Sequence, residues 1–500
     1  MERFLVRLVI GLMLVIGWSG SAAADWKLDV GYTKLQTELG SQLPTGAGVK
    51  VTQIEASAGE PDPSNAQFAG KTFTLKTSWL SISSHATNVG QYFYGNTGSL
   101  APGITNIDCY DSGDWRASFL SAGSTAPYIS TSRVANHSYV GSDVGYAKIE
   151  FNLARLDWVV NRDEYIQVVA MNNGGTNYPY MGSSFNAIAV GRSDGGAAHG
   201  AYPMATDPTT PYESGSRTRP DLVAPETLTS WATPMVASAA ALLVETGHKG
   251  GTTLSTDPLV TSTTNRNSND PIYNAERSEV VKAALMAGAS RKSPNLTNSV
   301  TPNGYVVNTA NGLNNIYGAG QLNIFNSYHI IAAGEQNSLE DFGPGGGEIK
   351  AVGFDYDPQF GGLGSNHTGS YVFKALTTGS LSASLVWNLT VTGGLADNFD
   401  TYASLYHLGL YLYDTTSALE LAYANSTVDN TENIWWQALV PNHSYLLKVT
   451  AEQTDFLWDY GLAWDITATT THAPLPPTVY LLGSGLLAIL WLKKRRVTRS

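Results

Sequence analysis

Thr229-Ser230-Trp231-Ala232-Thr233-Pro234-Met235-Val236-Ala237 is the stretch on which the reading of this chain turns. It continues into an apolar, alanine-rich run that ends near Gly247. Pro234 suits a first helical turn and Gly247 a C-terminal cap, so a helix is expected over 233–246. Ser230 then sits just before a helix N-terminus. Such an end offers free backbone N–H groups and the positive end of the helix dipole. Two readings follow from the local pattern. Ser230 is a nucleophile whose substrate oxygen gains from those N–H groups, or it is an N-cap, a position that serine favours.

Outward from this helix, short apolar runs alternate with helical patterns. Residues 49–55, 165–171 and 186–190 read as strands, and 144–161 and 276–287 as helices. The alternation predicts βαβ units, an α/β fold with a parallel sheet, over residues 25–335. Beyond 343 the pattern changes. Strand-like runs recur at 383–389, 408–413, 434–439, 444–450 and 461–466, with turn residues between them and no long helix. That predicts a smaller all-β sandwich over 343–470, entered through the glycine-rich stretch 343–347.

Several stretches, taken in order, resemble the subtilisin-like serine peptidases (subtilases). Thr229–Ala237 looks like their G-T-S-M-A-T-P-x-V-A block around the nucleophile, which carries that role to Ser230. Ser84-His85-Ala86-Thr87-Asn88-Val89-Gly90 resembles H-G-T-H-V-A-G and implies that His85 is the general base. Gly98-Ser99-Leu100-Ala101-Pro102-Gly103 is similar to the G-V-A-P-x-A turn that follows it. Val168-Val169-Ala170-Met171-Asn172-Asn173-Gly174 resembles V-V-A-A-G-N-x-G, which implies that Asn173 donates to the oxyanion. Gly48-Val49-Lys50-Val51-Thr52-Gln53-Ile54-Glu55 resembles G-V-x-V-A-V-I-D and carries the acid to Glu55, with Asp62 as an alternative a few residues on. Val280–Leu285 and Tyr317–Asn323 look like the family's closing segments, so the resemblance spans about residues 40–335. It implies a subtilisin-like parallel sheet with helices on both faces, and peptide-bond hydrolysis by acyl transfer on a protein or peptide substrate.

The chain departs from those patterns at four places. Leu228 stands for Gly before Thr-Ser, Ala86 for Gly after His, Asn172 for Gly before Asn, and Glu55 for Asp. A left-handed backbone at 228 would be strained by a branched side chain. An extra methylene at 55 requires local adjustment, because a misplacement of about 1 Å can cost roughly 10²-fold in rate. Glu55 and Leu228 motivate one rival reading, a surface pseudopeptidase that binds peptides without cleaving them; a second rival, a structural protein of the cell envelope, is suggested by the C-terminal tail and the β-rich part.

Both ends read as processing signals. Residues 1–24 combine an early basic pair, an apolar run and small residues, the pattern of a secretory signal peptide cut before Asp25. Residues 473–500 combine Pro474-Leu475-Pro476-Pro477, an apolar stretch and Lys493-Lys494-Arg495-Arg496. This resembles PEP-CTERM sorting tails, which implies transient membrane association and processing by an exosortase at a bacterial surface. With the +1 of the leader and the +5 of the tail removed, the −12 of the chain becomes −18 for the body. Such an acidic body argues against nucleic acid as a partner. The lone Cys109 precludes an internal disulfide and reads as a small buried hydrophobe. The His residues show no metal-ligand spacing. No cofactor is expected for catalysis, and structural Ca²⁺ is an expectation from the family alone. In the β-rich part, 426–432 and 443–445 resemble segments of sandwich domains that follow subtilase domains. There Tyr411, Tyr413, Trp435 and Trp436 are candidates for a binding face or for alternating core positions.

Overall fold

The structure, a computed structural model, describes residues 25–120, 125–141, 146–174, 181–202, 211–213, 216–255, 270–297, 304–340, 348–361, 366–395, 398–453 and 457–468. The leader, the sorting tail and the expected linker 343–347 lie outside these. Among the described residues, no helix is long and apolar enough to cross a membrane.

The first part of the chain is built on a parallel sheet, as the alternating pattern predicts. Its strands are β1 (Val51–Glu55), β2 (Thr72–Leu75), β3 (Asn106–Asp111), β4 (Val134–His137), β5 (Ile166–Ala170), β6 (Ile188–Arg192) and β7 (Leu222–Ala224), in the spatial order β2-β3-β1-β4-β5-β6-β7. Every pairing in it is parallel. The central strands are buried on both faces, which is why they read as near-continuous apolar runs. Alternation splits them between two cores. Val51, Val134, Val168 and Val190 pack on one face with helices α1 (Ser84–Tyr94) and α3 (Thr229–Gly250). Ile54, Ala135, Val169 and Ala189 pack on the other with α2 (Tyr146–Asp163). Each fully buried Val or Leu in these layers contributes about 1.5–3 kcal/mol through removal from water. Cys109 lies buried in β3, where burial pushes its thiol well above the ordinary range.

The β-rich part forms two antiparallel sheets. One holds Leu339–Glu340, Thr368–Lys374, Ser444–Ala451, Leu408–Asp414 and Leu419–Ala424; the other holds Val352–Gly361, Leu457–Ala468, Gly379–Val386 and Thr431–Leu439. Their facing side chains, Trp387, Trp464, Leu410, Leu447 and Tyr371 among them, make one core. The aromatic candidates divide between surfaces. Tyr411 stacks with Tyr413 and Tyr423 at 6.3 and 6.2 Å, whereas Trp435 packs edge-on against Tyr305 at 5.3 Å.

The two parts share apolar core. Phe354, Tyr356, Val386 and Ala463 from the β-rich part join the cluster under α3 and α4 (Ser278–Ala287), and every residue of α4 is buried. A Cβ at Gly461 would lie 2.9 Å from the Val280 nitrogen, so α4 and strand Leu457–Ala468 meet backbone to backbone. The Thr390–Leu395/Asn398–Ser404 hairpin reaches across to α2, with Val391 in that helix's core.

The helix around Ser230 differs from expectation at both ends. It begins at Thr229, with Leu228 as its N-cap, and runs to Gly250. Gly247 is internal: a Cβ there would stand 2.7 Å from the Ala275 carbonyl, so close packing rather than capping explains the glycine.

Candidate active site

Four candidate side chains gather at the C-terminal edge of the parallel sheet. Glu55 ends β1, and Asn173 lies just past β5. His85 is in the first turn of α1, and Ser230 is the second residue of α3. The strand order changes direction between β1 and β4, which pair side by side with Ile54 opposite His137. In open α/β sheets, ligand crevices form outside the carboxyl ends of strands at such a switch point.

The acid–base half is tightly wired. The Nδ1 of His85 lies 2.8 Å from Glu55 Oε2. The other carboxylate oxygen, Oε1, accepts from Gln53 Nε2 at 2.8 Å. The same amide nitrogen donates to the Ala86 carbonyl at 2.8 Å, and Tyr94 donates its hydroxyl to Gln53 Oε1 at 2.5 Å. Tyr94, Gln53 and Glu55 are all buried. Burial pushes the Glu55 carboxyl above its usual range, and its bonds from His85 and Gln53 oppose that. The bond to Glu55 raises the His85 imidazole above its ordinary value, against a smaller lowering from burial. A carboxylate on Nδ1 fixes the tautomer with Nε2 as the free basic nitrogen. The alternative acid, Asp62, is half-buried and caps its own turn. Its Oδ1 accepts from the Ser64 nitrogen at 2.9 Å and hydroxyl at 2.7 Å, which lowers its pKa, and no hydrogen bond joins it to His85.

The nucleophile half is looser. Pro234 has no N–H, so it cannot satisfy the Ser230 carbonyl four residues back. Ser138, just past β4, donates its hydroxyl to that carbonyl at 3.0 Å. The Ser230 hydroxyl in turn donates to the Ser138 carbonyl at 3.4 Å. No hydrogen bond joins Ser230 Oγ to His85 among the described residues. Leu228 holds the N-cap position, so Ser230 is not the N-cap. Its N–H is one of the first-turn donors that a helix leaves unpaired. The Thr229 N–H donates to Asn173 Oδ1 at 2.9 Å. That bond takes the Asn173 carbonyl oxygen and leaves the amide nitrogen of this exposed residue as a donor.

The departures from the family pattern cause no backbone strain. Leu228 is extended, with φ −132° and ψ 140°, and neither Ala86 nor Asn172 has positive φ. Sequence reasoning missed Ser138, Gln53 and Tyr94. The proline four residues after Ser230 was the available signal for the first; the other two become visible only when α1 is laid on β1.

No protein-family model matches the chain. No curated protein matches it either. Solved proteases do. The prenylagaramide maturation protease PagA aligns over 60% of this chain and 98% of its own, at 18% identity and a TM-score of 0.38. The patellamide maturation protease PatA aligns over 58% and 98%, at 17% identity and TM-score 0.36. A mutant of the PatA protease domain gives 58% and 98%, at 16% identity and TM-score 0.35.

Among the described residues, no group of three or more His, Cys, Asp or Glu side chains is arranged to hold a metal ion.

Proposed function

We propose that this chain is an exported serine endopeptidase of the subtilisin-like type, acting through an acyl-enzyme at Ser230. One observation carries the reading: a buried carboxylate bonded to Nδ1 of an imidazole, beside a serine at a helix N-terminus, at the sheet's switch point. In this scheme Ser230 Oγ turns from the Ser138 carbonyl to His85, gives its proton to Nε2 and attacks the scissile carbonyl. Glu55 stabilises the resulting imidazolium. The Ser230 N–H and Asn173 Nδ2 hold the oxyanion. His85 returns the proton to the leaving amine, and water then repeats the sequence to release the acyl group. Structural Ca²⁺ is not needed for any of these steps.

A second reading, peptide binding without cleavage, draws support from the bond of Ser230 Oγ to a carbonyl rather than to His85. Apo sites often hold catalytic bonds long or misaligned, so the first reading stands ahead. Reaction with a fluorophosphonate, compared between the purified protein and Ser230→Ala, separates the two. Labelling that Ser230→Ala abolishes is the expected result. Absence of labelling in both, together with retained peptide binding, would leave the pseudopeptidase. The leader and sorting tail put the enzyme at a bacterial surface in this proposal, and the intact mass of protein recovered from the envelope reads that processing.

A further inference from the structure

Among the described residues, the His85 ring is held by one hydrogen bond, and one bond does not fix a ring. Its side chain is 43% exposed, while Glu55 beneath it is 3% exposed. An imidazole tied only at Nδ1 can pivot about that bond and swing Nε2 away from the serine. The second contact that stops the pivot is Trp231. Its ring lies 5.1 Å from that of His85, centroid to centroid, at 36° between planes. Tyr92 stacks on the indole at 6.2 Å and 30°, and Trp26 meets Tyr92 edge-on at 5.9 Å. Glu226 Oε1 takes the Tyr92 hydroxyl at 2.8 Å. The indole is thus backed by a pinned aromatic and faces the imidazole.

We propose that Trp231 is a positioning residue for His85, fixing the ring plane and favouring its protonated form through the indole face. The proposal rests on the reading of Ser230 and His85 as nucleophile and base. Trp231 follows Ser230 directly in α3, so the turn that carries the nucleophile also carries the plate against which the base lies. Both then move together relative to the substrate. A cation within about 6 Å of a tryptophan ring is attracted to its face. That attraction acts on the imidazolium formed during attack and not on the neutral ring. The titratable groups around the pair are Glu55 from β1, Tyr92 from α1 and Glu226 from the segment before α3. None of the three is removed by changing Trp231.

The test uses Trp231→Leu and Trp231→Phe in the full chain, with the fluorophosphonate inactivation rate followed against pH. In parallel, ¹³C-labelled histidine is titrated by NMR, with His85 assigned through His85→Ala. Trp231→Leu is expected to lower the plateau rate about 3- to 30-fold. Its acid limb, and the His85 titration, move to lower pH because the protonated ring has lost its partner. Trp231→Phe, which keeps an aromatic face, recovers most of the rate and part of the pH displacement. A rate loss in Trp231→Leu with the limb and the His85 titration both unmoved would overturn the proposal, leaving packing alone. So would a Trp231→Phe variant no better than Leu. If no form reacts at any pH, the peptidase reading fails, while the His85 titration still decides whether Trp231 acts on the ring.

Discussion

The two halves of the candidate site are built on different principles. On the β1 and α1 side, a chain of bonds from Tyr94 through Gln53 to Glu55 and His85 spans 2.5 to 2.8 Å at every link, with all but the last side chain buried. On the β4 and α3 side, Ser230 rests on a 3.4 Å bond to a carbonyl, and Asn173 is exposed with one amide hydrogen pair free. In the proposed scheme the base is organised before substrate arrives, and the nucleophile is parked. Preorganised dipoles in a dry site cost no rearrangement at the moment of reaction. Side-chain rotation of a serine is fast compared with turnover. The difference predicts that losing the Glu55 carboxylate changes both rate and pH dependence, and that losing the Asn173 amide changes rate alone.

Glu55→Gln is the strongest way to break that contrast. The variant keeps the shape and removes the charge, so the imidazole loses its tautomer control, and the labelling rate falls by roughly 10³–10⁴-fold. The sign of the pH effect follows from the cause of the shift. Glu55 raises the His85 pKa, and burial lowers it. Without Glu55 the raising influence goes, and the acid limb moves to lower pH. A limb that stays in place, with the rate within tenfold of the parent, would remove Glu55 from the scheme. Asn173→Ala comes next, with a loss of roughly 10²–10³-fold in peptide turnover. Here the pH profile keeps its position, because Asn173 touches Thr229 and not His85. A displaced limb would show that the two halves are not separate.

One piece of each half was legible because it is local. An apolar strand ending in an acidic residue, and a serine at the start of an alanine-rich helix, are patterns of a few residues read at the period of their own element. The parallel sheet followed from the same periodicity. What escaped was set by distant parts of the chain. Residues 84–94 mix Gly, Asn, Thr and aromatics and did not read as a helix, yet Ser83 caps one by accepting from the Ala86 N–H. Strand β2 is exposed along most of its length at the sheet edge, so burial never imposed an apolar pattern on it. Ser138 matters only because a proline 96 residues later leaves a carbonyl open. The Thr390–Leu395 hairpin has few apolar residues of its own and draws its place from α2. The expected division of the chain near 335–343 likewise hid a continuous core, since the residues that join the two parts belong to strands whose patterns look self-sufficient.

The smallest effect lies at the far end of the bond chain and sharpens the contrast most finely. Tyr94→Phe removes one hydroxyl and keeps the ring, which packs among Phe68, Phe73 and Phe93 at 5.4 to 5.9 Å. Gln53 Oε1 is left buried without its donor, at a cost of about 1–3 kcal/mol in stability. The bond from Gln53 Nε2 to Glu55 survives, because its geometry is also fixed by the Ala86 carbonyl. Chemical denaturation should therefore record the stability loss, while the labelling rate falls by less than about tenfold. If the rate collapsed with stability intact, Tyr94 would be tuning Glu55 directly, and the chain would be one electrostatic unit rather than a scaffold under a carboxylate–imidazole pair.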